Sequence, residues 1–413
     1  MADGAEAVRS NLSRNGSDRM RILFARVFES YYDKSVPAAF RKLGHEVEEI
    51  TYFTPQDPYR DEKLEEMLEK NLRDKAYDTV FTVNFWPLIG KVCAAQGLPY
   101  IAWSYDCPQN LPDNRGMKLE SNHIFLFDRS EVERYRKEGA SRVFHMPLAT
   151  DVDGFEQRLS NTYSGKRKFT SDISLLGSLY TTASMPAILQ NADDYTQGYL
   201  RGILRAQQTI YGYWMIPDLL TEEKTEEIRK ALPDSDLTRE KTAVMQKKLA
   251  FAAAEYLTYQ DRLLLMRIAA RKSANVALYT WKITEDEKKL LPGIDVRPAA
   301  DYHTEMPYVF QGSKINLCPT LRCIGSGIPL RALDIMACGG LLMTPVQPEL
   351  LEYFVPNQDA IIYSSMEEAA DLMSFYLQHE DAMELLRKNG REKIRAAFRM
   401  EDRLQMILDQ VFC

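Results

Sequence analysis

Several features are scarce in this sequence, and each scarcity removes a class of function. Basic charge does not dominate: over 413 residues the formal net charge is −7. A nucleic-acid binder needs a basic face against phosphate, so no nucleic-acid partner is expected. Lys166-Arg-Lys168 is the nearest thing to a basic run and reads as a solvated stretch. Long apolar runs are missing; none reaches the roughly 18–20 residues that cross a bilayer, so no membrane span is expected. The five histidines include no HExxH or close pair, and the six cysteines have no CxxC spacing. No metal site is therefore expected. Cys93, Cys318 and Cys338 lie in apolar contexts where a thiol acts as a small hydrophobe, which fits a reducing, cytoplasmic location. Met1 to Arg19 is polar and lacks the apolar centre of a signal peptide, so residues 1–19 read as a disordered tail. No internal repeat or low-complexity tract stands out.

What is present is an ordinary soluble composition, 45% hydrophobic and 27% charged, in a chain too long for one average core. Two domains are expected. Over residues 20–150, apolar runs alternate with helical stripes. Arg21–Ala25, Val47–Phe53, Thr79–Asn84, Pro99–Tyr105, His123–Phe127 and Val143–Met146 read as strands. Val36–Leu43, the stripe Leu64, Met67, Leu68, Leu72, and Leu88–Gln96 read as helices, and Ser130-x-x-Glu133 as a capping box opening another. That alternation predicts a doubly wound α/β domain with a mostly parallel sheet.

Residues 151–171 lose periodicity and read as a linker. A second α/β domain follows over 172–395. Its strands are Asp172–Leu176, Asn275–Trp281, Val296–Pro298, Ser313–Cys318, Leu341–Pro345 and Ala360–Tyr363. A helical insertion over 183–272 carries Tyr195, Tyr199, Tyr211, Tyr213 and Trp214. Aromatic stripes of this kind usually form core; a lid or partner surface is the alternative. Thr284-x-x-Glu287 and Ser365-x-x-Glu368 predict helix starts, and Asn389-Gly390 punctuates the tail. An amphipathic helix over 391–412 closes the chain, with 396–413 set apart from the second domain.

One stretch organises that domain. Arg331-Ala-Leu-Asp-Ile-Met-Ala-Cys-Gly-Gly-Leu-Leu-Met-Thr344 reads as a short helix, a glycine stop and a buried strand, after the small-residue loop Ile324-Gly-Ser-Gly-Ile328. Glycines let backbone approach a ligand, and a helix N-terminus attracts anions. Asp334 falls in the first turns, where a carboxylate can take a hydroxyl's hydrogen bond. This combination suits a nucleotide sugar; on the local pattern alone, an ordinary βα turn serves equally. Gly177-Ser178, at the end of the domain's first strand, poses the same choice.

The run Ser313-Lys-Ile-Asn-Leu-Cys318, Pro329-Leu-Arg-Ala-Leu-Asp-Ile-Met-Ala-Cys-Gly-Gly-Leu-Leu-Met-Thr344, Glu349-Leu-Leu-Glu-Tyr-Phe354 and Tyr363-Ser-Ser-Met-Glu-Glu368 resembles, in order and spacing, the C-terminal domain of CgeB-like (spore-maturation type) glycosyltransferases. Leu377-Gln-His-Glu380 and Arg403 resemble the family's tail, and Asp172-Ile-Ser-Leu-Leu-Gly-Ser178 its opening strand and turn. Trp103-Ser-Tyr-Asp106 and Met146-Pro-Leu-Ala-Thr-Asp151 resemble its N-terminal half more loosely. The resemblance implies the GT-B architecture: two Rossmann-like domains facing a cleft, the donor held by the C-terminal domain and the acceptor meeting it from the N-terminal one. The second of these domains here carries the helical insertion.

On that resemblance, Asp334 holds ribose hydroxyls, Arg331 meets the diphosphate, and Gly325, Ser326 and Gly327 offer backbone N–H groups to phosphate or sugar. Gly177 and Ser178 join the donor site, and Tyr302 borders the nucleobase. The ordinary alternatives are helix-terminal charge stabilisation for Asp334, a surface ion pair for Arg331 and a packing role for Tyr302. One departure stands out. Many retaining GT-B enzymes carry Glu-x7-Glu, whereas the position eight residues before Asp334 is Ser326.

Glycosyl transfer requires the leaving diphosphate to be stabilised and the acceptor to lose a proton. GT-B enzymes commonly achieve the first with basic side chains and a helix N-terminus. No DxD-like pair stands in a matching loop, so neither metal nor cofactor is expected beyond a nucleoside-diphosphate sugar as co-substrate. If the reaction inverts the anomeric carbon, Asp106 is the candidate base; a turn cap before Pro108 is its alternative role. If it retains, the departing phosphate takes the proton. The expectation is thus a metal-independent glycosyltransferase acting on a protein, glycan or small-molecule acceptor. The alternatives are a non-catalytic nucleotide-sugar or glycan-binding protein, suggested by Ser326, and a scaffold subunit of a glycosylation complex, suggested by the insertion.

Overall fold

A computed structural model describes residues 19–109, 111, 113–160 and 166–412. All of the expected N-terminal tail except Arg19, residues 161–165 of the expected linker and the last residue lie outside that set. The chain divides into two compact units, Met1–Asp151 with Ala396–Cys413, and Val152–Arg395.

The first unit contains β1 (Arg21–Arg26), β2 (Glu46–Thr51), β3 (Thr79–Val83), β4 (Tyr100–Ser104), β5 (Asn122–Leu126) and β6 (Val143–His145). They form one parallel sheet in the order β2-β1-β3-β4-β5-β6. Every residue of β3, β4 and β5 is buried, which is why these strands read as short continuous apolar runs. Edge strand β2, Glu-Val-Glu-Glu-Ile-Thr, stays largely open to solvent. Leu64, Leu68, Leu88 and Val92 from two helices pack with Val80, Tyr100, Ile124 and Leu126 into one core, each large aliphatic contributing about 1.5–3 kcal/mol. The strand order turns back between β1 and β3, and there the carboxyl ends of the strands leave a crevice.

Two local expectations are corrected here. The helix Arg129–Lys137 is capped by Asp128, whose buried carboxylate accepts from Ser130 N at 2.9 Å; Ser130 itself lies inside the helix. The closing helix is two helices, Glu380–Ala397 and Met400–Phe412. The break falls where Phe398 and Arg399 pair with Thr150, whose N–H donates to Phe398 O at 3.0 Å. The final helix then packs on Ser35–Lys42, with Lys42 Nζ 2.6 Å from Glu401 Oε1.

The second unit contains β7 (Ser171–Leu176), β8 (Val276–Tyr279), β9 (Asp295–Arg297), β10 (Ser313–Leu317), β11 (Leu342–Pro345) and β12 (Ile361–Tyr363). The order is β12-β11-β10-β7-β8-β9, all parallel, so the chain winds outward in both directions from β7 and β10. This is the Rossmann strand order, and its topological switch lies between β7 and β10. The expected capping boxes hold in part: Thr284 and Glu287 exchange both bonds, while Ser365 caps its helix and Glu368 turns to Ser364. The stretch expected to be a linker contains a helix, Val152–Ser160, with Val152 and Phe155 buried, and a short 3-10 turn at Lys166–Phe169. Asn389-Gly390 does not punctuate the tail; it sits within the helix Glu380–Ala397. Gly390 serves packing there, since a Cβ would lie 2.6 Å from Asp359 O.

The insertion is helical as expected, with its own core of Met185, Leu189, Leu200, Leu204, Ile216, Met245 and Leu249. Its last helix, Thr242–Lys272, runs 31 residues, about 46 Å at 1.5 Å per residue. The first half belongs to the insertion core. Leu265, Met266 and Ala269 then enter the sheet core. One rigid element thus joins the insertion to the switch point. Among the described residues, the five cysteines are free thiols, no three His, Cys, Asp or Glu side chains group as a metal site would require, and no helix is long and apolar enough to cross a membrane.

Candidate functional site

After β10 the chain crosses residues 318–329 and enters the helix Leu330–Ala337, with Pro329 as its N-cap residue. The loop is tethered along its length. Cys318 N donates to Met343 O at 2.8 Å and Thr344 Oγ1 to Cys318 O at 2.9 Å. Arg322 N donates to Thr258 Oγ1 at 3.0 Å, and Gln347 Nε2 to Ile324 O at 3.2 Å. Ser326 Oγ donates to Glu349 Oε1 at 2.7 Å, while Glu349 N donates to Ser326 O at 3.0 Å. A loop fixed this often holds its backbone in place before any ligand arrives.

Arg331 lies in the first turn of the helix, half-buried, with Nη1 2.6 Å from Met306 Sδ and the guanidinium over the Phe310 ring. A cation at a helix N-terminus is disfavoured by the dipole, so the arrangement suits a bound anion. Asp334 is one turn further on and only 1% exposed; its Oδ1 accepts from Tyr302 Oη at 3.2 Å. Asp334 and Tyr302, 32 residues apart, therefore act as one pair. Tyr302 also meets Phe155 edge-on, at 6.0 Å between ring centroids.

Gly325 and Ser326 are half-buried and Gly327 is buried. Where the sequence lacks the first carboxylate of Glu-x7-Glu, the fold puts a carboxylate behind Ser326: Glu349, wholly buried, from the helix Pro348–Tyr353. Only the loop's return to that helix reveals it.

Gly177 and Ser178 lie across the switch point, at the end of β7. Gly177 has φ +148 and gives its N–H to Tyr279 O at 2.9 Å, so that amide is committed to the sheet and does not face a ligand. Ser178 uses its carbonyl, which accepts from Arg262 Nη1. Sequence reading missed Arg262, which sits mid-helix in the insertion. Its Nη2 donates to Pro319 O at 2.9 Å, so one guanidinium spans the ends of β7 and β10. Burial pulls its pKa down from the usual arginine value.

Arg322 was also missed. It is 8% exposed and pairs with buried Asp261, Nε to Oδ2 at 2.6 Å and Nη2 to Oδ1 at 3.1 Å. It also donates to Ile210 O at 2.7 Å and lies over the Tyr211 ring at 3.8 Å. It latches the site loop to the insertion.

Asp106 belongs to the first unit, just beyond β4 and beside the β1/β3 switch. Its Oδ2 accepts from Asn84 Nδ2 at 2.6 Å, and Asn84 Oδ1 accepts from Tyr105 N at 3.1 Å and Asp106 N at 3.3 Å. Asn84 thus clamps the loop from a left-handed backbone position, φ 59, a conformation asparagine tolerates. Desolvation raises the Asp106 carboxyl above the usual range against the pull of Asn84, although the residue keeps open surface. Phe28, Tyr31 and Tyr32 pack around Tyr105, its neighbour.

Residues 226–409 match a family model described as glycosyl transferase-like. A sequence search among curated proteins returns no match. In structure the chain is similar to a sucrose-phosphate synthase from Thermosynechococcus elongatus, at 13% identity and TM-score 0.55, covering 95% of this chain and 98% of that one. It is also similar to a glycosyltransferase from Rickettsia africae, at 9% identity and TM-score 0.56, covering 95% and 98%. Anabaena HepE in complex with UDP-glucose matches at 10% identity and TM-score 0.54, covering 95% and 99%. Likeness at these identities shows fold: the chain has the two-domain α/β fold of GT-B glycosyltransferases, and its C-terminal region is glycosyl transferase-like in sequence.

Proposed function

We propose that the protein transfers a sugar from a nucleoside-diphosphate sugar to an acceptor hydroxyl or side chain without a metal ion. One observation carries the reading: at the β7/β10 switch point, a tethered loop leads into a helix whose first two turns hold Arg331 and Asp334. Open α/β sheets bind ligands at such a point. The glycosyl transferase-like match over residues 226–409 spans this segment. The CgeB-like subtype is supported by sequence resemblance, chiefly the motif run from Ser313 to Glu368.

In this reading the helix N-terminus and Arg331 hold the diphosphate and stabilise its charge as the bond from the anomeric carbon to phosphate breaks. Asp334 and Tyr302 receive the ribose, and Ser326, backed by Glu349, faces the sugar side. The new bond joins the anomeric carbon to the acceptor oxygen. Its proton goes to Asp106 in an inverting transfer or to the departing phosphate in a retaining one. UDP is the first nucleotide to try, because a structural neighbour was solved with UDP-glucose.

Incubation with UDP-, dTDP- and GDP-sugars tests the proposal. The expected result is stabilisation by one nucleotide series, with donor hydrolysis or transfer unaffected by EDTA. No binding and no hydrolysis with any of them would overturn it. Loss of activity in EDTA, restored by a divalent cation, would overturn metal independence. Donor binding without turnover across a broad acceptor library would favour the non-catalytic reading that Ser326 suggests.

A further inference from the structure

We infer that Arg262, supplied by the helical insertion, is a diphosphate-binding residue of the donor site. The inference rests on the donor reading above and adds a residue that no motif marks.

The geometry begins with charge. A guanidinium does not deprotonate in a protein, so Arg262 carries a full positive charge wherever it is placed. Its side chain takes part in two hydrogen bonds, to the carbonyls of Ser178 and Pro319, and neither acceptor carries a charge. Its Nε is buried without a hydrogen-bond partner, and the neighbouring Asp261 carboxylate, which acts on its charge, accepts its hydrogen bonds from Arg322. The Tyr180 ring lies under it at 4.7 Å. Arg331 adds a second positive charge close enough to act on it. Arg322, reached from the same helix, shows the contrast: a buried carboxylate, Asp261, meets it there. Arg262 is half-buried, and its direct partners are backbone carbonyls, so its guanidinium keeps charge to offer an anion from outside the chain.

Position then names the anion. The carbonyls that Arg262 grips end β7 and begin the loop after β10, the two sides of the switch point. Gly177 makes room for it, since a Cβ there would sit 3.3 Å from Nη1. Two guanidiniums at one switch point suit a ligand with more than one negative charge, and a guanidinium pairs phosphate oxygens in a fork. In a nucleoside-diphosphate sugar that group is the diphosphate. The insertion therefore contributes to donor binding itself, through the single helix that joins its core to the sheet.

The test uses the full chain and calorimetric titration with UDP, UMP and uridine, and with the guanosine and thymidine series in parallel. Arg262→Met keeps the bulk and removes the charge. The expected result is diphosphate binding weakened about 10- to 100-fold, the size of one charge-assisted contact, with nucleoside binding within about twofold. Arg262→Lys, which keeps the charge and loses the fork, should fall between Met and wild type on the diphosphate and match wild type on the nucleoside. It also serves if the Met variant fails to fold. Equal losses for diphosphate and nucleoside would reduce Arg262 to a structural clamp, and unchanged diphosphate binding would remove it from the site; either overturns the inference alone. If the wild type binds none of these nucleotides, the donor reading falls and takes the inference with it.

Discussion

Replacing Arg322 by alanine should destabilise the second unit and loosen the site loop together. Arg322 and Asp261 are 6% and 5% exposed at the side chain and meet through a two-point contact. Burial pushes the Asp261 carboxyl upward even beside the guanidinium, whereas the pair raises Arg322. The carboxylate thus bears the desolvation, and the pair as a whole adds little over apolar neighbours. Breaking it is another matter. Arg322→Ala leaves the buried Asp261 carboxylate without its guanidinium and takes one donor from the carbonyls of Gln207, Gln208 and Ile210. Removing one partner of a buried pair costs about 3–5 kcal/mol. At about 2–4 °C per kcal/mol for a unit of this size, Tm should fall about 6–20 °C. Differential scanning calorimetry reads this directly. The double replacement Arg322→Met with Asp261→Leu should recover most of the loss, because an apolar pair of similar volume is often neutral. The double variant should still bind nucleotide more weakly than wild type, since the loop is no longer latched to the insertion. A single variant within about 1 kcal/mol of wild type, or a double variant worse than the single, would refute the reasoning.

Three further perturbations separate other roles. If Asp106 is the base, activity requires its deprotonated form, so kcat/KM should fall on an acid limb placed above the ordinary carboxylate range; Asn84→Gly, which relieves the left-handed backbone and removes the 2.6 Å donor, should move that limb to higher pH, and a pH–rate profile unchanged in this variant would exclude the role. His123 is 5% exposed, and burial with the nearby Arg142 lowers its pKa from 6.5 to about 4. The folded state therefore holds it neutral, and its contribution to stability is present above pH 6.5 and lost as pH falls towards about 4, amounting to about 3 kcal/mol; denaturant titrations at stepped pH should show a shallower acid slope in His123→Gln. Gly390→Ala should destabilise by about 1–3 kcal/mol in thermal melts although alanine is the better helix former, because its Cβ would sit 2.6 Å from Asp359 O and 3.2 Å from Met336 Sδ.

How much of this was legible depends on the range of the cause. The strands of both sheets were readable because helices cover both faces and force continuous apolar runs, as in Thr79–Val83 and Tyr100–Ser104. The stretch from Arg331 to Thr344 was readable because cap, helix, glycine stop and strand are consecutive, and Gly339 does adopt φ +75 at the stop. Gly390 was misread for a related reason: its local signal is a breaker's, while its actual role is set by Asp359 and Met336, brought up by other elements.

The site's charges lie beyond any such window. Arg262 and Ser178 are 84 residues apart, Arg322 and Asp261 are 61 apart, and Asp334 meets Tyr302 across 32. All three pairings depend on how the sheet winds outward from β7 and β10, which is set by packing of whole elements and not by any one of them. The long helix Thr242–Lys272 shows the consequence most plainly. Its sequence reads as insertion, and its first half is that; but continuing the same helix into the sheet core carries Asp261 and Arg262, adjacent in sequence, to two different tasks. Asp261 pairs directly with an internal cation, Arg322, while Arg262 arrives at the switch point with backbone carbonyls as its hydrogen-bond partners. A rigid helix cannot turn one of these neighbours without the other. The latch at Asp261 therefore also fixes where Arg262 points, so Asp261→Asn should weaken diphosphate binding more than nucleoside binding, in the same sense as Arg262→Lys, and equal effects on the two ligands would show that the two neighbours act independently.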